Sequence, residues 1–400
     1  MRSYQYVADF EKLGFGLFVH FGLYSVQAQG EWYLMRDRES DRTHYNSHIE
    51  RFVVAKNWAR DLVSTAKKTG CKYITLTTRH HDGFSLYDTC GLNEFDAPHS
   101  ASKRDLVREF VDECNRQGIV PFFYHTLLDW WNPDYKDNFD AYIDYLIRSV
   151  EILCTNYGKI GGFWFDGFWD KRDANWQFDR LYATIRKYQP EAMIINNTGM
   201  SAMGVVSHPE IDSVTFERGN PRFVDNSDRP RAGEMCEVIG DHWGYAKKDI
   251  CFKSAKQLLD TLITCRKCNC NLLLNAGPRG NGLLSPLDKY ILESIGVWIK
   301  ENRKFIYNAK SSDVTAENAI MLKDDKYYYA VIPDVPMSID PNVTKATEDR
   351  IVVVHTNKKI KEAIWLDTGE KVALESQNSF VPKMFKYGNS LYMRVARFKL

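Results

Sequence analysis

The sequence predicts an α/β protein: a (β/α)8-like TIM barrel over residues 1–309, followed by a small antiparallel β-sandwich over residues 310–400. Three observations predict it. Short apolar runs alternate with longer helical patterns as far as about residue 300, the pattern of parallel strands joined by crossover helices. Those runs are apolar nearly throughout, as strands buried on both faces must be. From about residue 311 the texture changes to short alternating stretches, "YYYAVI", "RIVVVHT", "EAIWLD" and "SLYMRVARFKL", separated by turns such as Thr368-Gly369. A doubly wound sheet is the rival fold, but no Gly-x-Gly-x-x-Gly follows the first strand.

Taken in order, "GFGLFVHFG" (14–22) reads as the first strand, and "VVAKNWARDLVSTAKKTG" (53–70) as a helix ending in Gly70. "YITLTTRHHDGF" (73–84) is a strand running into a polar tip. In "SKRDLVREFVDECNRQG" (102–118), Leu106, Phe110 and Cys114 share one helical face, and Ser102 with Asp105 reads as a capping box. "IVPFFYHT" (119–126) is the third strand, with the helix "FDAYIDYLIRSVEILCTNYG" (139–158) behind it. The fourth strand is "IGGFWFDG" (160–167), followed by a helix over 179–190 that Pro190 stops. "AMIINNTG" (192–199) and "IDSVTFERG" (211–219) are the fifth and sixth strands. A late helix over 254–268 leads into the strand "NLLLNAGPRGNG" (271–282), and a helix over 287–309 closes the barrel.

Composition excludes several classes of function. With 44% apolar residues the chain is not disordered, and 53 basic against 52 acidic residues, without a basic run, exclude nucleic acid as the partner. No run approaches the roughly 18 apolar residues of a membrane span, so no membrane partner is expected. The first residues carry no apolar export segment, so a cytoplasmic location is expected. Nine cysteines, an odd and scattered set ending at Cys270, read as free thiols rather than a disulfide framework. "CRKCNC" (Cys265, Cys268, Cys270) resembles half a zinc knuckle without its second pair. The simpler reading has Cys265 closing a helix and Cys270 entering a strand.

The ends of successive strands carry polar groups. The first gives His20, and its loop gives Glu31 and Trp32. The second gives Arg79, His80, His81 and Asp82. Tyr124 and His125, Trp164 and Asp166, Asn196 and Asn197, and Glu217 and Arg218 follow on strands three to six. A lone strand histidine is usually a satisfied core group, but consecutive strands of a barrel deliver these residues to one rim. Two carboxylates among histidines and tryptophans fit glycosidic bond cleavage, one attacking the anomeric carbon or activating water, the other protonating the leaving oxygen. Tryptophan offers a flat apolar wall to a sugar. A metallohydrolase using His20, His80, His81 and Asp166 is the competing reading, and a sugar-binding protein without turnover is another. The loop "LLDWWNPDYKDN" (127–138) edges the leaving-group side, unless Trp130 and Trp131 pack beneath it.

At these residues the chain resembles the α-L-fucosidase family, glycoside hydrolase family 29. The matching motifs are "GLFVHFGLYS", "GEWY", "KYITLTTRHHDGFSLYDT", "GGFWFDG", "DHWGY" (241–245) and "NLLLNAGPRGNG", in family order over residues 8 to 300. The resemblance implies retaining exo-hydrolysis of terminal α-L-fucosyl residues from fucosylated oligosaccharides or glycoconjugates, with no cofactor and no metal. It implies Asp166 as the nucleophile, and His20, Glu31, Trp32, His80, His81, Tyr124, Trp164 and Trp243 as the residues that hold the sugar. For the general acid/base it points first to Glu217, with Glu234, Glu237 and Glu210 as competitors. A non-catalytic fucose-binding protein on the same fold is the alternative. One departure stands out: many members carry an arginine directly after the fifth strand, where this chain has "NNTG", leaving Arg218 or Arg222 to replace it.

Overall fold

The computed structural model of the chain describes residues 4–36 and 42–400. Eight parallel strands close a barrel in sequence order: β1 (Phe15–Val19), β2 (Tyr73–Arg79), β3 (Val120–Thr126), β4 (Gly162–Asp166), β5 (Met193–Asn196), β6 (Ser213–Glu217), β7 (Ala232–Val238) and β8 (Cys270–Ala276). Closure comes from β1 pairing in parallel with β8, Phe15 opposite Leu272 through Val19 opposite Ala276. The aromatic run of β4 splits by the two-residue period of a strand. Phe163 and Phe165 join the core beneath the outer helices, while Trp164 joins the cluster inside the barrel. Gly16 of β1 is required by a close approach: a Cβ there would lie 2.4 Å from the Tyr73 ring.

The helix Gln5–Leu13 plugs the N-terminal end of the barrel. Its Phe10 ring stands 5.5 Å from both Tyr73 and Phe122, and its backbone is tied to β8 by Asn271 Nδ2 donating to Phe10 O at 2.8 Å. Above this plug, Phe18, Tyr124 and Trp164 form an aromatic layer, with Tyr124 and Trp164 stacked at 5.7 Å. The bottom is therefore closed by apolar groups, and polar side chains gather at the opposite, C-terminal end of the strands.

Two local expectations are corrected. The helix expected from Ser102 begins at Leu106, and Asp105 is its N-cap, accepting from Arg108 N at 2.9 Å. Ser102 instead ties two loops together, accepting from Val54 N at 3.1 Å and donating to Phe52 O at 2.5 Å. The seventh strand is not among the apolar runs, because its "AGEMCEV" carries Glu234 and Glu237 into buried positions. The full capping box stands at the helix Ala255–Lys267, between Ser254 and Gln257.

After the helix Pro286–Ile306 the chain forms antiparallel sheets. Five strands (Lys310–Ser311, Ile320–Lys323, Tyr328–Ile332, Lys361–Trp365 and Arg394–Lys399) make one sheet, and Ala316–Glu317, Val352–Val354 and Ser379–Phe380 another. A short pair, Met337–Ser338 with Phe385–Lys386, is parallel. The sheets share a core around Trp365, Phe380 and Phe398. Tyr329, Val331, Met393 and Val395 belong instead to the barrel's outer core. There Trp298 Nε1 donates to Met393 O at 2.9 Å and Phe305 stacks on Tyr329 at 5.0 Å. All nine cysteines are free. Cys265 lies in the last turns of its helix and Cys270 opens β8, as the simpler reading of "CRKCNC" has it.

Candidate active site

A cleft of about 900 Å³ opens at the C-terminal end of the barrel. His20 from the end of β1, His80 from the end of β2, Tyr124 from β3, Trp164 and Asp166 from β4, and Glu217 from β6 all line it. Loops add Glu31 and Trp32 after β1, Asn197 after β5, and Trp243 after β7. His81 stands behind this wall, 1% exposed, with Nδ1 bonded to Thr126 Oγ1 at 2.7 Å and Nε2 3.5 Å from Asp166 Oδ2.

Both oxygens of Asp166 accept hydrogen bonds from protein side chains. Tyr124 OH donates to Oδ2 at 3.0 Å; Trp169 Nε1 and Asn197 Nδ2 donate to Oδ1 at 3.0 and 3.1 Å. Burial alone pushes the carboxyl upward, but the bonds and charge from His81, then Trp169 and Tyr124, outweigh it and hold Asp166 below the ordinary aspartate value. Gly167, at φ 98°, turns the chain immediately afterward so that the 3-10 turn Phe168–Lys171 brings Trp169 back over the carboxylate.

Glu217 is driven the opposite way. Burial, then the Asp166 charge, raise it to about 7, against bonds from Asn197 and the charge of Arg218. Asn197 Nδ2 donates to Glu217 Oε2 at 2.8 Å and to Asp166 Oδ1 at 3.1 Å. Those two distances together are the upper limit on the separation of the two oxygens. That limit lies below the roughly 6.5 Å at which pairs that invert the anomeric centre begin. Two carboxyls held this close with opposite proton preference form the pattern of an acid and a nucleophile.

The other glutamates that compete for the acid role lie elsewhere. Glu234, 1% exposed, is beneath the floor, bonded to Tyr73 OH and, at 2.9 Å, to Trp164 Nε1. Glu237 accepts its neighbour Val238 N and faces Lys253 at 3.4 Å, and Glu210 pairs with Arg186 at 3.0 Å. Of these four, Glu217 alone lines the cleft.

The wall opposite the carboxylates is organised by Asn275. Its Nδ2 donates to Trp243 O at 2.7 Å, so its Oδ1 faces His20 Nδ1 at 2.7 Å and must accept from it. Burial lowers His20 to about 4, so the ring is neutral near pH 7. With Nδ1 carrying the hydrogen, Nε2 is left as an acceptor. His80 is also neutral, lowered by burial and then by His81 and His20, and its Nδ1 has no partner among the described residues. Glu31 Oε2 accepts from Gly244 N at 2.7 Å, which ties the first loop to the one carrying Trp243. Trp32 stacks on Trp169 at 5.8 Å and meets Trp130 edge-on at 5.1 Å. The cleft thus offers acceptors, donors and aromatic faces beside one acid pair, the requirements of sugar recognition.

The alpha-L-fucosidase family model matches residues 1–304. The chain belongs to the alpha-L-fucosidase family. Among curated relatives of this family member, the alpha-L-fucosidase of Dictyostelium discoideum is 25% identical over 334 residues, covering 75% of this chain and 71% of that one. Human tissue alpha-L-fucosidase is 25% identical over 335 residues, covering 76% and 69%. The solved alpha-L-fucosidase isoenzyme 1 from Paenibacillus thiaminolyticus superimposes with a TM-score of 0.85 at 27% identity, over 99% of each chain. A Bacteroides thetaiotaomicron family 29 enzyme, solved as a trapped covalent intermediate, shares the fold with a TM-score of 0.82 at 22% identity, over 100% of this chain and 96% of that one.

Several groups in this alpha-L-fucosidase family member carry no sequence signal of their own. The sequence gives no role to Trp169, Asn275 or Arg172, and in it Asn197 is one polar rim residue among many. Trp169 is legible only once Gly167 is known to reverse the chain. Arg172 lines the cleft, with Nη2 donating to Thr198 O at 2.9 Å and Ser201 Oγ at 3.2 Å. Of the two arginines expected to replace the one absent after β5, Arg218 lines the cleft, while Arg222 packs over Phe216 and bonds Met203 O outside it. Trp130 and Trp131 pack on the core below their loop and do not line the cleft. The metal reading loses its geometry. Among the described residues, the one set of three potential ligands within 4.8 Å is Asp241, Asp249 and Cys251. His20 and His81 have spent Nδ1 on protein partners, and both Asp166 oxygens accept hydrogen bonds.

Proposed function

We propose that this chain is a retaining exo-α-L-fucosidase in which Asp166 is the nucleophile and Glu217 the general acid/base. Asp166 attacks C1 of a terminal α-L-fucosyl residue while Glu217 gives its proton to the leaving glycosidic oxygen, so the C1–O bond breaks as the Asp166–C1 ester bond forms. Glu217, now a carboxylate, takes a proton from water, whose oxygen bonds to C1 as the ester bond breaks. His20, Glu31, Trp32, His80, Tyr124, Trp164 and Trp243 hold the sugar, and His81 acts on it through Asp166. The observation that carries this reading is the acid pair itself: two carboxyls on adjacent parts of one cleft, one held ionised by donors, the other held protonated by burial and by the first one's charge.

The substrate class is a fucosylated oligosaccharide or glycoconjugate. Nine free cysteines fit a reducing compartment, and no helix among the described residues is long and apolar enough to cross a membrane. Action on fucosides in the cytoplasm is part of this proposal. The test is proton NMR of the fucose first formed from 4-nitrophenyl α-L-fucoside, before its anomers equilibrate. Initial appearance of α-L-fucose supports the double displacement, initial β-L-fucose contradicts it, and binding of fucose without turnover returns the sugar-binding alternative.

A further inference from the structure

We propose that Asn197 is a positioning residue that sets the spacing and the proton allocation of Asp166 and Glu217 through a single shared amide. The proposal rests on the assignment of those two residues as nucleophile and acid/base. Asn197 is 2% exposed at the C-terminal end of β5, between the strand that carries Asp166 and the strand that carries Glu217. Its side chain is saturated. Oδ1 accepts from Gly199 N at 3.2 Å and from Thr215 Oγ1 at 3.0 Å; Nδ2 donates to Asp166 Oδ1 at 3.1 Å and to Glu217 Oε2 at 2.8 Å. A backbone N–H is only a donor, so the amide oxygen must face Gly199, and the NH2 must face the carboxyls. Thr215 precedes Glu217 by two residues on β6 and points to the same face, so one strand both orients the amide and receives one of its hydrogens.

This arrangement serves both halves of the reaction without moving. Before attack, one N–H of Asn197 supports the charge on Asp166. Once Asp166 is esterified to C1 and Glu217 has lost its proton, the charge resides on Glu217, and the other N–H supports it there. A hydrogen bond to an ionised acceptor is about twice as strong as one to a neutral acceptor, so the amide favours whichever carboxyl is charged at each stage. The other charged and titratable groups facing the pair are His81, Tyr124, His20 and Cys236 toward Asp166, and Arg218, Glu31, Tyr124 and Cys236 toward Glu217. Of the groups bonded to either carboxyl among the described residues, Asn197 is the one that bonds both.

The experiment is the pH profile of kcat/KM for 4-nitrophenyl α-L-fucoside with wild type, Asn197→Asp and Asn197→Ser, alongside Asp166→Gly with and without azide. Asn197→Asp keeps the shape but replaces two donors by a third negative charge, so both limbs of the bell should move up by about one pH unit or more. Asn197→Ser removes the amide donor to both carboxyls without adding charge, so both limbs should move up by less, and it keeps the test open if the Asn197→Asp variant does not fold. A uniform loss of rate in both variants with unmoved limbs, beside normal azide rescue of Asp166→Gly, overturns the proposal alone. Azide-independent turnover by Asp166→Gly removes the nucleophile assignment, and the proposal with it.

Discussion

Trp164 and Glu234 are joined by a 2.9 Å hydrogen bond that runs downward from the sugar cleft into the barrel. The indole presents its ring to the cleft and its N–H to a glutamate held from the other side by Tyr73. This explains why a carboxyl on β7, one strand from Glu217, is support for the floor. Its burial raises it to about 7, as burial does for Glu217. A shared shift thus accompanies two different tasks, and only position separates them.

The first prediction follows from that burial. A carboxyl whose folded value is raised makes the folded state bind more protons than the unfolded one, so its penalty is absent below about 4.3, the unfolded value, and grows as pH rises toward 7. Glu234→Gln removes the ionisation. Urea unfolding at pH 5 and pH 8 should show the variant gaining stability relative to wild type as pH rises. A constant difference would contradict a titrating Glu234.

The second concerns Glu217. The basic limb of kcat/KM should fall near pH 7, the value to which burial and Asp166 raise this acid, while the acidic limb lies below the ordinary aspartate value because Asp166 is lowered. Glu217→Ala should lose the basic limb. With an activated aryl fucoside, azide should restore its rate and give α-fucosyl azide, the retained product. Loss of the basic limb in Glu234→Gln instead would move the acid role to β7.

Trp169→Phe supplies the third. An aromatic ring is kept, but the donor to Asp166 Oδ1 is removed. The acidic limb should move upward, with kcat/KM below it falling roughly tenfold, the usual cost of one hydrogen bond to a charged group. An unchanged acidic limb would mean that the indole N–H does not support the carboxylate.

The fourth separates sugar holding from chemistry. Asn275→Ala removes one tie on the His20 ring and one on the loop carrying Trp243, and leaves the hydrogen bonds to Asp166 and Glu217 in place. KM should rise by about tenfold with a much smaller change in kcat. A fall in kcat with KM unchanged would place Asn275 in transition-state stabilisation instead.

The barrel was legible because short runs rich in apolar residues alternate with helical patterns, and the C-terminal sheets because their strands alternate. β7 escaped since Glu234 and Glu237 interrupt its apolar pattern, Glu234 being compensated by Tyr73 and Trp164, both distant in sequence. Asp166 and Glu217 could be read from their places at strand ends. Asn197 could be read as a rim residue but not as the bridge between them, and the roles of Trp169, Arg172 and Asn275 could not be read, because they depend on a turn at Gly167 and on hydrogen bonds across strands. The helix start at Asp105 rather than Ser102 has a similar cause: Ser102 is engaged by Phe52 and Val54, some fifty residues earlier.

The most direct measurement is the reaction of Asp166→Gly with 4-nitrophenyl α-L-fucoside in the presence and absence of azide. With Asp166 as nucleophile, the variant is inactive alone, and azide entering the space of the lost carboxylate restores turnover and yields β-fucosyl azide, the inverted product. Substantial turnover without azide, or rescue giving the α-azide, would contradict the assignment of Asp166.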